Sequence, residues 1–310
     1  MNPLSSKSKL ALRALALGAA AVVLAGGAAP RIACAQTIPA VASVEQKLFP
    51  DSRMIVRDRI SIEVVGKGPD IVMIPGLSSS RETWRPTADR LRSAHRVHLV
   101  QIAGFAGEPP RANASGPVFD PVLAEIDAYC ATLGRPVVMG HSLGGTLGLA
   151  LAERHPEHVG SLLVVDSLPF YGVLAGGPNA TVETVRPIAE GFGKQMKGRM
   201  PEPMARNMAA QMVTAPADLD RVVSWMMTSD PQVTGAIMVE DMLADLRPGL
   251  AALKTPTTVL YETAIKPMIE TGYAGAKAVT LVEVPSAKHF IMYDQPARFE
   301  REVDAFLARR

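Results

Sequence analysis

The chain holds 310 residues, 48% of them hydrophobic and 20% charged, enough apolar material for one large core or two modest ones, which excludes disorder as its main state. Glycine and proline, 25 each, stay below the level of a low-complexity chain, and no fixed-period repeat is visible. The formal charge is +2, but residues 1–35 carry Lys7, Lys9, Arg13 and Arg31 with no acid, so the remainder is slightly acidic and argues against a nucleic-acid partner.

Two lysines and an arginine precede an apolar stretch over residues 14–29, and Ala33-Cys34-Ala35 then offers small residues where a signal peptidase reads them. Residues 1–35 therefore read as a secretory signal cleaved after Ala35, and the mature chain as exported, periplasmic or secreted. The apolar stretch, interrupted by Gly18, Gly26 and Gly27, falls short of the roughly 20 residues that cross a bilayer. No later run is long enough, so no integral membrane span is expected once the signal is removed. Lipidation at Cys34 is the other reading, although Arg31 stands where a lipobox takes an aliphatic residue. Cleavage leaves Cys130 alone, without a partner for an internal disulfide, in an apolar-periodic stretch with no activating motif that marks it as a core thiol rather than a nucleophile.

Beyond a polar N-terminal arm, residues 60–65 alternate as a strand, Gly66-Lys67-Gly68 turns, and residues 70–74 form a second apolar run, the pattern of a hairpin. Residues 81–92 have helical spacing through Trp84, Ala88 and Leu91, and residues 96–102 read as a strand. A helix over 121–133, a buried strand over 136–140, a helix over 143–154 ending before Pro156, and a strand over 161–166 follow. Strand and helix alternate with short joints, which predicts an α/β fold: a mostly parallel sheet with helices on both faces.

The rhythm stops over residues 167–250, far longer than the roughly 2 to 6 residues of an ordinary joint, so this stretch reads as an inserted helical cap on a core formed by residues 36–166 and 251–310. The cap holds Met196, Met200, Met204, Met208 and Met212 at intervals of four, divided into two helices by Pro201 and Pro203. Helix faces packed on a core are the plainer reading of this stripe; an adaptable apolar pocket wall is the functional one. The sheet resumes with residues 257–261 and 279–284, followed by a loop with His289 and an amphipathic helix over 296–307.

Gly140-His141-Ser142-Leu143-Gly144 lies between a buried strand and a helix. A serine turned sharply off a strand end sits in a strained backbone, and only glycine fits two positions to either side. This marks Ser142 as a nucleophile, with Gly140 and Gly144 as the glycines of its elbow. A serine hydroxyl needs a base, and in such sheets the partners follow in the order serine, acid, histidine. His95 and His98 precede Ser142, His141 adjoins it on the opposite side of the turn, and His155 and His158 flank a helix-ending proline, which leaves His289. The acid is Asp166, ending the strand after the nucleophile helix, or Glu262, after the penultimate strand; Asp166 is favoured. Ile74-Pro75-Gly76-Leu77 ends an early strand, where the second oxyanion donor belongs: the N–H of Leu77, beside that of Leu143.

These pieces, with Val165-Asp166 and the run His289-Phe290-Ile291-Met292-Tyr293-Asp294-Gln295-Pro296, resemble the cap-bearing serine hydrolases of the α/β-hydrolase family over about residues 60–307. The resemblance implies hydrolysis of a small-molecule ester, less often of an amide, lactone or activated carbon–carbon bond, through an acyl-enzyme. The departure from the family pattern is the absence of aspartate after Tyr261. A serine nucleophile also argues against haloalkane dehalogenase or epoxide hydrolase chemistry, where the relatives use aspartate. An aminopeptidase-like variant would grip a substrate amine with cap carboxylates such as Glu183, Glu190 or Glu240, and a non-catalytic binding protein of the same fold is a further reading. No cofactor is expected: no G-x-G-x-x-G follows a strand and no phosphate loop is present. No metal is expected at His155-Pro156-Glu157-His158, because the proline breaks the helix that would align the two imidazoles.

Overall fold

The computed structural model describes residues 47–196, 198 and 200–309; the expected signal segment lies outside them. Eight strands form one sheet: β1 (Arg53–Val56), β2 (Ile60–Gly66), β3 (Asp70–Ile74), β4 (Arg96–Ile102), β5 (Val137–His141), β6 (Ser161–Val165), β7 (Thr257–Glu262) and β8 (Val279–Val284). Their order across the sheet is β1-β2-β4-β3-β5-β6-β7-β8. β2 runs antiparallel to β1 and β4, and every other pairing is parallel. β5 and β6 are buried along their whole length, as continuous apolar strands must be when both faces are covered.

The two-residue period of a strand divides the core. Val72, Ile74, Val138, Leu162 and Val164 point to one face. Ile71, Met73, Val137, Met139, Leu163 and Val165 point to the other. On the core, α1 (Arg85–Leu91), α2 (Phe119–Ala131) and α3 (Leu143–Arg154) precede β6. Leu147, Leu149, Ala150 and Leu151 of α3 pack on the first face with Val122, Leu123 and Ile126 of α2. Between β6 and β7 come five helices, α4 (Val173–Gly176), α5 (Val182–Gln195), α6 (Glu202–Met212), α7 (Pro216–Thr228) and α8 (Pro231–Leu243). After β7 come α9 (Lys266–Gly272), α10 (Ile291–Asp294) and α11 (Pro296–Leu307). Phe299, Val303 and Phe306 of α11 cover the second face, with Trp84 against Phe299 at 6.3 Å between ring centroids.

Three expectations are corrected. β2 and β3 are not a hairpin: β4 lies between them. The joining turn steps across the lane that β4 fills, packed so closely on the carbonyls of Arg92, Ala94 and His95 that side chains at Gly66 and Gly68, with φ of +82° and +122°, would strike them. The polar arm contains a strand, β1, which pairs with β2 at the sheet edge. The helix expected over 81–92 starts with a 3₁₀ turn, Arg81–Trp84, because Pro86 enters only at the first α turn.

Pro201 does separate α5 from α6. The fully buried face of α6 is carried by Ala205 and Ala209, each one position after a methionine of the stripe. Met204 and Met208 are half-buried beside them, while Met200 and Met212 pack against the second-face core. Leu246 N–H donates to the Pro169 carbonyl at 2.8 Å, joining the two stems of the helical insertion.

Candidate active site

Ser142 follows β5 directly and caps α3, with φ 53° and ψ −123°, a conformation that costs a side-chain-bearing residue about 1–3 kcal/mol. The surroundings hold it there. Its N–H donates to Val165 O at 2.9 Å, and its carbonyl accepts from Gly145 N at 2.7 Å and Thr146 N at 3.1 Å. A methyl group on Gly140 would strike the Gly144 carbonyl, and one on Gly144 would strike those of Ile74 and Pro75. The two glycines are thus a packing requirement of the turn, which leaves Ser142 half-buried.

His289 comes from the loop after β8. Its Nδ1–H donates to Asp166 Oδ2 at 2.7 Å, which leaves Nε2 free. Asp166 ends β6 with φ 50°, a left-handed turn that aspartate tolerates better than most residues. Its other oxygen, Oδ1, accepts the Glu262 N–H at 2.9 Å. The acid on the imidazole is therefore Asp166. Glu262 supplies a backbone donor that fixes Asp166 rather than a carboxylate for His289. Asp166 has 2% of its side chain exposed and His289 has 23%. Burial pulls the His289 pKa down, but the hydrogen bond and charge of Asp166, with Glu262 behind it, outweigh burial and leave it above the usual imidazole value. Burial and the neighbouring Asp166 charge push the Glu262 carboxyl up to about 7.

His141, set aside in the sequence, bridges the two halves of the site. Its Nε2–H donates to the His289 carbonyl at 3.0 Å, and its ring lies 4.7 Å from that of His289 and 4.5 Å from Phe290, centroid to centroid. Burial, then the charge of His289, hold its pKa well below the usual value, so it stands neutral with a bare Nδ1. The residue before Ser142 thus grips the backbone of His289, 148 positions away. No hydrogen bond joins Ser142 Oγ to His289 among the described residues; the tie between them is the His141 bond, and such hydroxyl–imidazole bonds in hydrolases often form only around substrate.

Leu143 opens α3, so its N–H has no intrahelical acceptor. The Pro75–Ser78 loop abuts the elbow: a Cβ on Gly76 would sit 3.0 Å from His141 Nδ1 and 3.2 Å from Ser142 Cβ. The N–H groups of Leu77 and Leu143 have no protein acceptor among the described residues, as donors reserved for an oxyanion would not.

The helical insertion is fastened to both loops. Ser229 Oγ accepts the Ala106 N–H at 2.8 Å and lies 3.3 Å from Ser78 O, Thr234 Oγ1 lies 3.2 Å from Ser78 Oγ, and Asp230 N–H reaches Gly104 O at 2.7 Å. On the histidine side, Lys288 Nζ donates to Ala210 O at 2.6 Å and Val213 O at 3.0 Å, and Phe290 N–H to Met212 O at 3.0 Å. Asp294 accepts from Thr214 N and Lys288 N, both at 2.8 Å. His141, Lys288 and Asp294 were not found from the sequence; a histidine inside the elbow motif was the one available signal. The amine-gripping carboxylates are corrected. Glu183 and Glu190 are exposed on α5, and Glu240 is occupied in accepting from the N–H groups of Val118 and Phe119 at the start of α2.

Comparison with known proteins agrees with this architecture. Over 262 residues the chain is 28% identical to a pimeloyl-[acyl-carrier protein] methyl ester esterase of Aeromonas hydrophila, covering 80% of this chain and 99% of that protein. The Chromobacterium violaceum esterase of the same name is 29% identical over 248 residues, covering 76% and 93%. Among solved structures, the enol-lactonase from Burkholderia xenovorans aligns with a TM-score of 0.67 at 20% identity, covering 80% of this chain and 96% of that one. A thermophilic esterase from Thermogutta terrifontis aligns equally well, at 20% identity over 83% and 98%. Residues 71–302 match the family model described as the alpha/beta hydrolase family, and to that family the chain belongs.

Proposed function

We propose that the chain is an exported serine carboxylesterase that cleaves small or medium apolar esters through an acyl-enzyme. The observation that carries this reading is the His289–Asp166 pair, tied through His141 to a strained, half-exposed Ser142. In the reaction Ser142 Oγ attacks the ester carbonyl as His289 Nε2 takes its proton. The Leu77 and Leu143 N–H groups receive the oxyanion, and the protonated His289 gives its proton to the leaving alcohol. Water, activated by the same nitrogen, then releases the acid and restores Ser142. Asp166 keeps the imidazole in the Nδ1–H tautomer and stabilises its charged form. The relatives named as methyl ester esterases support an ester with a small alcohol as the substrate. Export rests on the basic, then apolar, then small-residue order of residues 1–35.

The test is hydrolysis of p-nitrophenyl esters of increasing acyl length, with fluorophosphonate labelling. Ser142→Ala is expected to lower kcat by about 10⁵–10⁶-fold and to abolish labelling while unfolding like the parent. Undiminished turnover would overturn the reading, and failure of the parent chain to label would favour a binding protein.

A further inference from the structure

At the end of α3 away from the elbow, three side chains converge that the proposed ester hydrolysis does not use. α3 runs from Ser142 to Arg154, and His155 caps it, so the cluster lies roughly 18 Å from the nucleophile at the rise of an α-helix. Pro156 stops α3, as the sequence indicates, but Pro156–His158 then forms a 3₁₀ turn. That turn places the His155 and His158 rings face to face, with an interplanar angle of 10° and centroids 6.0 Å apart. Asp127 comes from α2, outside the local motif. It accepts from His158 Nδ1 at 2.6 Å and lies 3.7 Å from His155 Nδ1. Glu157 Oε1 lies another 3.7 Å from the same nitrogen.

We infer that Asp127, His155 and His158 form a binding site for a divalent transition metal such as Zn²⁺, with Glu157 as a fourth ligand. One ligand atom from each of the first three lies within 4.8 Å of the others. A tetrahedral ion with bonds of about 2.0–2.2 Å sets its ligands roughly 3.3–3.6 Å apart, so the 3.7 Å separations already approach the edges of such a site. The His158–Asp127 pair must open by about 1 Å, exchanging one hydrogen bond for two metal bonds. Two imidazoles and one or two carboxylates suit Zn²⁺, Cu²⁺ or Ni²⁺ rather than Ca²⁺ or Mg²⁺, which prefer all-oxygen shells. Side-chain exposures of 40% at His155, 28% at His158 and 17% at Asp127 leave an ion a path from solvent. The ion would clamp α2 to the joint between α3 and β6. The only cysteine among the described residues, Cys130, is buried and free, so no disulfide supplies a cross-link there. Helical alignment of the two histidines, the premise of the sequence reading, is unnecessary when a turn aligns them and a second helix brings the carboxylate.

The experiment is calorimetric titration of the untagged, chelator-treated full chain with Zn²⁺, and visible absorption with Co²⁺, for the parent, the His155→Ala/His158→Ala double variant and Asp127→Asn. One Zn²⁺ per chain is expected, with a tetrahedral Co²⁺ spectrum. The double variant should lose both, and Asp127→Asn should bind at least about tenfold more weakly. Unchanged ester hydrolysis by the variants, none of which touches the elbow, certifies their fold. Absence of saturable binding below about 100 μM, or equal binding by parent and double variant, would overturn the inference.

Discussion

Asp166 has both carboxylate oxygens on fixed donors, the His289 imidazole and the Glu262 amide. An amide in its place has one acceptor for two N–H groups, so Asp166→Asn forces either the imidazole into the wrong tautomer or the Glu262 N–H out of its bond. Its kcat is expected to fall by about 10³–10⁴-fold. The base must be neutral to act, and its pKa is raised, so kcat/KM of the parent should climb through a midpoint above about 6.5. Glu262→Gln removes a negative charge that helps hold the proton on His289. Its limb should move to lower pH while the plateau kcat stays within about tenfold, since no bond to the imidazole is lost. Rate profiles from pH 5 to 9 check both variants; a fall in kcat confined to Glu262→Gln would reverse the roles. The proposed nucleophile and base could be named from sequence because the elbow's glycine spacing is a steric rule and the histidine follows from order and elimination. The acid was harder: Asp166 and Glu262 end neighbouring strands, and the choice depends on the left-handed φ of Asp166, which two adjacent letters do not specify.

At the scale of elements, local periodicity located most of the strands and helices, whereas pairing was the part it missed. Apolar alternation in residues 60–65 and 70–74 says that two strands exist; that β4 intervenes is a contact between residues some 30 positions apart. The missed β1 is held by a feature equally remote from its own sequence. Glu63, fully buried on β2, accepts from Leu48 N at 3.0 Å, Phe49 N at 2.9 Å and Ser52 Oγ at 2.6 Å, bending the arm onto the sheet. Glu63→Ala deprives all three donors of their acceptor and should cost about 1–3 kcal/mol, read as a lower urea midpoint. The aromatic signals of Phe49 should change, and ester turnover at low denaturant should not. Glu63→Gln, which keeps one acceptor, should fall between. The methionine period marked two helices parted by Pro201, with Pro203 inside the first turn of α6 rather than a break, but the fully buried positions of α6 are Ala205 and Ala209, small residues that a search for large apolar side chains passes over.

For the whole molecule, the helices between β6 and β7 are more than a cover, because their α6–α7 corner is fastened to the segment that carries His289. Lys288 satisfies two carbonyls at the end of α6, groups that a helix terminus otherwise leaves to water. Lys288→Met should speed amide exchange in α6 and α7 and lower kcat several-fold with little change in KM, which hydrogen-exchange mass spectrometry and steady-state kinetics can check. Faster exchange with untouched kcat would show the bonds to be structural only. The arrangement has a consequence for traffic through the enzyme. On the proposed reading, any displacement of the α6–α7 corner would pull on the strip of backbone that presents the imidazole, so access from this side and the placing of the base are mechanically coupled through Lys288 and Phe290.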